Sequence, residues 1–499
     1  MLRTARRFVV ALVILLPSSA AAQTIASDPG VAEALEVVRI WLDAQRDYER
    51  LPAISAAIVH DQELVWSGAV GMANIGEQRP ASSSTLYSIC SISKLFTSIA
   101  VMQLRDQGRL DLRDPVSKHL PFYDLTQKYP ESTPVTVEGL LTHSAGLPRE
   151  ADHPYWSGPD FVFPTKEEVI ARLSEQETLH PSRTEYQYSN LGLSLAGYIV
   201  EEVSGQPYDQ YVRQHILDPL GMEDTYTDMP AQHIGGQLAT GYGGLTREGV
   251  RNEAAFFQAR GIAPAAGYAS TVDDLAKFAM WQFRLRGDRE EVLHAYTLAE
   301  MQRVHFTTPG SNSLRGLGFS VSSRDGKTFV GHGGSCPGFR TTFSMQNDDK
   351  IATIAFVNAT ANASKYAAGV YDLVADAITD AVERRMAMTS DDHGADDGSG
   401  NGDAHGGQAV DLDRYVGTYA GGLGGNESVV VHWKGGIATM SLPTDDPRGA
   451  LGVLRHVEGD TFRRLDDDGE LGSEVIFETD DQGLVVRMRT PPNFRMRVR

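Results

Sequence analysis

Segments with a strong preference for β-structure lie far apart in this chain, separated by a long stretch that is mostly helical and loop. Ile54–Val59 and Glu63–Ala69 predict a hairpin. Further strands are predicted at Gly318–Ser322, Thr328–His332, Arg340–Met345 and Ile351–Val357. Helical runs at Val31–Arg50 and Tyr366–Met386 flank these strands. Strands at both ends with helices between them predict an α+β domain, in which an antiparallel sheet flanked by helices is closed by pairing the two ends.

A second domain is predicted after a linker. Residues 390–408 hold five Asp and six Gly and no aromatic or β-branched residue, so we expect a flexible acidic linker with few contacts across it. His393 and His405 within it are interpreted as bystanders rather than metal ligands. Residues 409–499 predict a small all-β barrel or sandwich from seven short runs: Val429–Trp433, Ala438–Leu442, Leu451–Val457, Thr461–Leu465, Glu474–Glu478, Leu484–Arg489 and Phe494–Val498.

The first 22 residues are typical of an export signal. Arg3, Arg6 and Arg7 precede the apolar run Phe8–Leu16, and residues 20–22 are three alanines. An uncleaved anchor is the alternative, but the run is short for a bilayer, and no later segment offers a span. We therefore expect residues 23–389 to form the first domain of a periplasmic or secreted protein, without a stable membrane span after signal removal.

Charge and cysteine content narrow the function. The formal net charge of −20 disfavours nucleic acid as a partner, because such a surface repels phosphates. Two cysteines are too few for a disulfide scaffold or a four-cysteine zinc site, although one bridge is possible. We expect no metal and no cofactor, and the sequence leaves the oligomeric state open.

Ser91-Ile92-Ser93-Lys94 is the only S-x-x-K in the chain. The apolar period that follows it predicts a helix that starts near Ser91, which places Ser91 and Lys94 one turn apart on one face. A serine hydroxyl needs a base to become a nucleophile, and a lysine in a dry site can be neutral enough to serve. Taken alone, the motif is better explained by Ser91 as a helix cap and Lys94 as a surface charge.

Two further groups supply the remaining parts of such a site. Tyr188-Ser189-Asn190 offers a phenol for proton transfer and an amide for a substrate carbonyl, just before an apolar helix. His332-Gly333-Gly334-Ser335 follows the predicted strand Thr328–His332, and its glycines leave a strand edge open to a substrate backbone.

In the order and spacing of these groups the chain resembles the serine β-lactamase-like hydrolases, which include class C β-lactamases, D,D-carboxypeptidases, D-aminopeptidases and esterases. The connecting phrases agree over about residues 52–357: 102–104 (MQL), 110–116 (LDLRDPV), 140–148 (LLTHSAGLP), 219–222 (PLGM) and 267–271 (GYAST). The resemblance implies the β-lactamase/transpeptidase-like fold with a helical subdomain. The C-terminal part resembles the lipocalin-like domain that some members carry over the catalytic mouth.

The resemblance also implies roles for individual residues. Ser91 would be the nucleophile and Lys94 its base, Tyr188 would pass a proton to the leaving group, and Asn190 would hold the substrate amide. His332, Gly333, Gly334 and Ser335 would bind substrate, with the backbone N–H groups of Ser91 and Ser335 as the oxyanion hole. Cys90 and Cys336 match positions bridged by a disulfide in some class A enzymes. His143 matches a structural loop.

Departures from the pattern bear on the substrate. His332 stands where β-lactamases have lysine, and a mostly neutral histidine is a weaker anchor for a carboxylate; its protonation would strengthen carboxylate binding as pH falls from about 7.5 to 6. Arg340 would restore some positive charge. Residues 180–187 lack the glycine turn that many members have before Tyr-x-Asn.

The leading interpretation is an exported serine hydrolase that cleaves an amide or ester through a seryl ester. The alternatives are a β-lactamase proper and a penicillin-binding sensor that stays acylated. An ester, a D-peptide and a β-lactam all remain open as substrates.

Overall fold

The computed structural model describes residues 24–310, 314–391, 410–421, 427–466 and 468–498. The predicted signal peptide and all but the first two residues of the predicted linker lie outside these ranges. Helices are α1 Pro29–Tyr48, α2 Ser93–Asp106, α3 Val116–His119, α4 Val137–Thr142, α5 Lys166–Ala171, α6 Asn190–Ser204, α7 Tyr208–Val212, α8 Ala263–Ala266, α9 Val272–Arg284, α10 Ala295–Met301 and α11 Ala363–Asp391. Strands of the first domain are β1 Ala53–His60, β2 Glu63–Asn74, β3 Arg79–Pro80, β4 Tyr87–Ser88, β5 Tyr242–Leu245, β6 Arg251–Glu253, β7 Ala269–Ser270, β8 Phe306–Thr307, β9 Leu314–Arg315, β10 Ser320–Arg324, β11 Lys327–Cys336, β12 Phe339–Gln346 and β13 Ile351–Val357.

The two ends of the first domain meet in one nine-stranded sheet. Its order is β3-β2-β1-β13-β12-β11-β10-β9-β8. Strand β1 pairs antiparallel with β13, from Ile54 opposite Val357 to His60 opposite Ile351. The predicted pairing of the two ends is therefore confirmed, and with it the α+β fold.

Helices cover both faces of this sheet. Ala57 and Val59 of β1 belong to a core that includes α2, α6 and α9. Ile54, Ala56 and Ile58 belong to a second core with α1 and α11. Successive strand residues point to opposite faces, so a strand covered on both sides reads as a continuous apolar run. This explains why β1 and β13 show no polar alternation.

The C-terminal domain is a closed antiparallel barrel. Its strands are β14 Gly417–Ala420, β15 Glu427–Trp433, β16 Gly436–Leu442, β17 Leu451–Glu458, β18 Thr461–Leu465, β19 Leu471–Thr479, β20 Val485–Thr490 and β21 Asn493–Arg497. Tyr415, Tyr419, Phe462 and Phe477 form the centre of its interior. Seven of these strands follow the sequence pattern; β14 was missed because four residues are too few to show a period.

The expectation of few contacts between the domains is wrong. The outer faces of β15 and β16 join the core formed by α1 and α11, and contribute Val429, Val431, Trp433, Ala438, Met440 and Leu442. Trp41 of α1 is fully buried there, and its indole N–H donates to the Thr444 carbonyl at 2.8 Å. The composition of a linker does not show whether the domains on either side of it pack against each other. The interface between the barrel and α1 and α11 was therefore not predicted.

Within the described ranges, no helix combines the length and apolar character needed to cross a bilayer.

Candidate active site

Ser91 lies in a 3₁₀ turn, Cys90–Ile92, directly before α2. The predicted helix thus begins two residues later than expected, at Ser93, while Lys94 occupies its first turn. Cys90 has a φ of 50°, a left-handed conformation that a non-glycine residue adopts at a cost. A disulfide joins Cys90 to Cys336 on β11, with Cα atoms 5.8 Å apart. This bond ties the turn that carries Ser91 to the strand that forms the opposite wall of the cavity.

Lys94 is completely buried, and its amine nitrogen has three oxygen neighbours. Nζ lies 2.7 Å from the Ala265 carbonyl, 2.8 Å from Asn190 Oδ1 and 3.2 Å from Ser91 Oγ. The carbonyl and amide oxygens only accept hydrogen bonds. If the Lys94 amine is neutral, its two N–H groups donate hydrogen bonds to these two oxygens. Its lone pair can then accept the hydrogen of the Ser91 hydroxyl.

The environment of Lys94 favours that neutral form. Burial lowers the pKa of Lys94 well below its usual value, Glu150 partly opposes the shift, and Arg149 adds to it. Burial of an amine in a dry site is the effect that prepares it to act as a base.

Asn190 is held between Lys94 and a carboxylate that the sequence analysis missed. Its Nδ2 donates to both oxygens of Glu150, each at 3.0 Å, while its Oδ1 accepts from Lys94. Glu150 also accepts from the buried Tyr155 hydroxyl and pairs with Arg149 at 3.0 Å. The resemblance implied that the Asn190 amide holds the substrate. In this structure the amide is already hydrogen-bonded to Lys94 and Glu150, and it positions Lys94. Glu150 could not be predicted from the sequence because it lies 40 residues from Asn190 in the chain.

Tyr188 lies beside Ser91, and three side chains pack around its ring. The His143 ring lies 4.3 Å from it, Lys94 Nζ 4.8 Å and the Arg149 guanidinium carbon 4.9 Å, measured between or to ring centroids. Burial raises the pKa of Tyr188 above its usual value, against a lowering effect of its hydrogen bond with Ser91. The phenol therefore remains protonated at neutral pH and can act as a proton donor.

His143 has the packing and hydrogen-bonding role expected of it. It is buried, and its Nδ1 accepts the backbone N–H of Ser189 at 3.1 Å. Burial lowers the pKa of His143 well below its usual value, so the ring is neutral. It fixes the backbone beside Tyr188.

Strand β11 forms the opposite wall, and one of its edges is open. The strand runs on through the glycines to Cys336 rather than ending at His332. Its pairing with β10 stops at Gly331, so within the described part of the chain His332–Cys336 pair with β12 alone. A side chain at Gly334 would place Cβ 2.2 Å from the Ile89 carbonyl oxygen, so only glycine lets β11 approach the turn that carries Ser91 this closely. The free edge can hydrogen-bond an extended substrate backbone.

His332 is neutral over the physiological range. Burial, assisted by Lys94, lowers its pKa to about 3. Its Nδ1 lies 2.7 Å from the Gly333 carbonyl and must donate, which leaves Nε2 only able to accept. The expectation that its protonation strengthens carboxylate binding between pH 7.5 and 6 is wrong, because the site is too dry to charge the ring there.

These residues share one cavity of about 550 Å³. The predicted residues among its lining are Ser91, Tyr188, His332, Gly333, Gly334, Ser335 and Arg340. Lys94 and Asn190 lie buried behind Ser91. The lining also holds Arg149, Tyr186 and Arg315, which the sequence analysis did not select. No barrel residue lines it among the described positions, so a barrel lying over the mouth is not observed.

Comparison with known proteins agrees with this architecture. Similar curated proteins include "Beta-lactamase-like protein 2" of Dictyostelium discoideum, 27% identical over 66% of this chain and 60% of that protein. The "D-alanyl-D-alanine-carboxypeptidase/endopeptidase AmpH" of Escherichia coli (strain K12) is 36% identical over 33% of this chain and 48% of that protein. The chain therefore spans about half to three-fifths of the length of these relatives.

Solved structures share the fold. The "octameric penicillin-binding protein homologue from Pyrococcus abyssi" covers 93% of this chain and 100% of its own, with TM-score 0.60 and 24% identity. The "D-amino acid amidase from Ochrobactrum anthropi SV3" covers 71% of this chain and 99% of its own, with TM-score 0.57 and 25% identity.

Family models divide the chain in two. One described as a domain of unknown function (DUF3471) matches residues 403–499, which include the barrel. The other, "Beta-lactamase", matches residues 39–377 and so takes in the nine-stranded sheet, α2 to α10, parts of α1 and α11, and every residue of the candidate site. This second match covers more than half of the sequence, and the chain belongs to the beta-lactamase family.

Proposed function

We propose that this protein is an exported serine hydrolase that cleaves an amide or ester bond through a covalent seryl ester. The observation that carries the proposal is the buried Lys94 amine, 3.2 Å from Ser91 Oγ, with both its protons engaged by Asn190 and Ala265. Hydrolase relatives, named as a carboxypeptidase and an amidase, support the reaction class. Export, to the periplasm or outside the cell, rests on residues 1–22.

In acylation, Ser91 Oγ attacks the substrate carbonyl while its proton moves to Lys94 Nζ. The oxyanion accepts hydrogen bonds from the backbone N–H groups of Ser91 and Ser335. As the tetrahedral intermediate collapses, the Tyr188 hydroxyl gives its proton to the leaving nitrogen or oxygen. The Lys94 ammonium then returns a proton to the Tyr188 phenolate. The net result is a seryl ester, a neutral leaving group and an unchanged base.

In deacylation, a water molecule attacks the seryl ester and passes one proton to Lys94. Collapse of the second tetrahedral intermediate expels Ser91 Oγ, which recovers that proton. Each step needs Lys94 neutral at its start, and the burial of Lys94 supplies this condition.

The same site fits peptide-like substrates. An extended backbone can lie along the open edge of β11 at Gly333–Ser335. The relatives include a D-alanyl-D-alanine-carboxypeptidase/endopeptidase and a D-amino acid amidase. His332 Nε2 can accept a substrate N–H. These observations favour amide cleavage, with esters as activated substrates.

A turnover panel on the purified chain without residues 1–22 tests the proposal. The panel holds p-nitrophenyl acetate and butyrate, D-alanine p-nitroanilide, a D-alanyl-D-alanine peptide and nitrocefin. We expect steady turnover of at least one amide or ester, lost in Ser91→Ala. Turnover confined to nitrocefin would instead identify a β-lactamase proper. A burst with no turnover would identify a penicillin-binding sensor, and unaltered turnover in Ser91→Ala would refute the proposal.

A further inference from the structure

The cavity in front of Ser91 is cationic in a protein that is strongly acidic. The formal net charge of the chain is −20, yet among the residues that the structure describes this cavity is lined by three arginines, Arg149, Arg315 and Arg340, and by no Asp or Glu. A cavity lined by one sign of charge concentrates ligands of the opposite sign. The local charge therefore selects for an anionic substrate although the whole surface repels one.

Two of these arginines flank the same pair of tyrosines. The Arg149 guanidinium carbon lies 4.9 Å from the ring centre of Tyr188, and that of Arg315 lies 4.5 Å from the ring centre of Tyr186. Stacking on an aromatic ring holds a planar guanidinium in place while its N–H edge remains available. The two residues come from different parts of the chain, the loop after α4 and strand β9.

Much of their hydrogen-bonding capacity is unused. Arg149 pairs through Nε with Glu150, and among the described residues nothing is bonded to its two terminal nitrogens. Arg315 has no carboxylate partner in the described chain; Nη1 contacts Ser320 Oγ, and Nε is buried without a partner. A buried donor normally has a partner, so the unmatched Nε of Arg315 indicates a site for an acceptor. The Arg149 side chain is 60% exposed, so its terminal N–H groups are accessible to the same acceptor.

We propose that Arg149 and Arg315 form a binding site for a carboxylate of the substrate, beside the Tyr186–Tyr188 segment and apart from strand β11. This inference rests on the proposed function, because it assigns the substrate class of that same site. From the sequence we expect weak carboxylate binding at His332, and the proposed site offers a carboxylate a different anchor. The neutral His332 is a poor anchor for a carboxylate. Arg149 and Arg315 bind the carboxylate instead, on a different wall of the cavity.

Paired ester substrates test the site. On the acyl side, p-nitrophenyl glutarate is compared with p-nitrophenyl valerate; on the leaving-group side, 3-acetoxybenzoate is compared with phenyl acetate. We expect the wild type to favour the acid in at least one pair by about tenfold in kcat/KM beyond the intrinsic reactivity ratio, since charged hydrogen bonds are worth about that factor. High salt should shrink the preference.

Arg149→Gln/Arg315→Gln should bring the acid-to-neutral ratio of kcat/KM within each pair down to the intrinsic reactivity ratio. The ratio is the readout because Arg149 also stacks on Tyr188 and pairs with Glu150, so the double variant can change the turnover of the neutral ester as well. Arg303→Gln is the matched control, because Arg303 is an exposed arginine outside the cavity. No preference in either pair, or a preference that survives the double variant, would overturn the inference.

Failure of the proposed function gives a different result. It would show as no hydrolysis of any ester, whereas calorimetric binding of glutarate to Ser91→Ala would still report the arginine site. Loss of glutarate binding in the Ser91→Ala chain on adding Arg149→Gln/Arg315→Gln supports the site. Equal binding with and without the two substitutions refutes it.

Discussion

Replacing Trp41 by alanine tests how firmly the barrel is attached to the catalytic domain. The Trp41 indole is fully buried where α1, α11 and the barrel meet. A Cβ added at Gly369 of α11 would lie 2.4 Å from the indole and 3.0 Å from Pro447 of the barrel, so the ring fills the gap between them. Its N–H donates to the Thr444 carbonyl.

The expected loss in the free energy of unfolding is about 3–5 kcal/mol, the usual range for a buried Trp→Ala change. This is a large part of the roughly 5–15 kcal/mol that holds a typical domain folded. Urea unfolding followed by circular dichroism measures the loss. Limited proteolysis of the same variant should release the barrel faster than in the wild type, because the interface opens first.

Tyr296→Ala is the control, since that aromatic side chain is 68% exposed, and we expect a change within about 0.5 kcal/mol. A Trp41→Ala loss below about 1 kcal/mol, with unchanged proteolysis, would show that the two domains are only loosely associated. The account of their interface would then be wrong.

Four further predictions concern the site. Lys94→Met, which keeps the length and removes the amine, should lower kcat/KM for amides by several orders of magnitude with little change in fold; a mild effect would move the base role elsewhere. The plot of kcat/KM against pH should rise through the lowered pKa of Lys94. It should show no inflection from His332 between about pH 5 and 8, because the pKa of that ring is about 3. An inflection in this range that disappears in His332→Gln would contradict this. Glu150→Gln should move the rising, acidic limb of the kcat/KM profile to lower pH, because the Glu150 carboxylate raises the pKa of Lys94. A limb that does not move argues against an electrostatic effect of Glu150 on Lys94. Thiol titration of the denatured, unreduced protein should find no free thiol, and two per chain would exclude the Cys90–Cys336 bridge.

Local patterns in the sequence predicted most of the fold and, in the candidate site, the Ser91–Lys94 pair. The pairing of β1 with β13 followed from strands predicted at both ends of the domain with helices between them. The position of Lys94 behind Ser91 followed from one helical turn. The strands and the helical turn are both local features, which a single sequence displays.

Contacts that depend on tertiary packing were not predictable in this way. Glu150 reaches Asn190 from a loop 40 residues away, and Trp41 reaches Thr444 across 403 residues. The charge state of His332 depends on how dry its surroundings are, which composition does not show.

The central claim, that Ser91 forms a covalent ester during turnover, is tested most directly by mass spectrometry of the acid-quenched reaction. With p-nitrophenyl butyrate in excess, the intact protein should gain one butyryl group, and peptide mapping should place it on Ser91. The adduct should disappear in Ser91→Ala and accumulate more slowly in Lys94→Met. An adduct on another residue, or steady hydrolysis with no adduct at any quench time together with full activity in Ser91→Ala, would contradict the account.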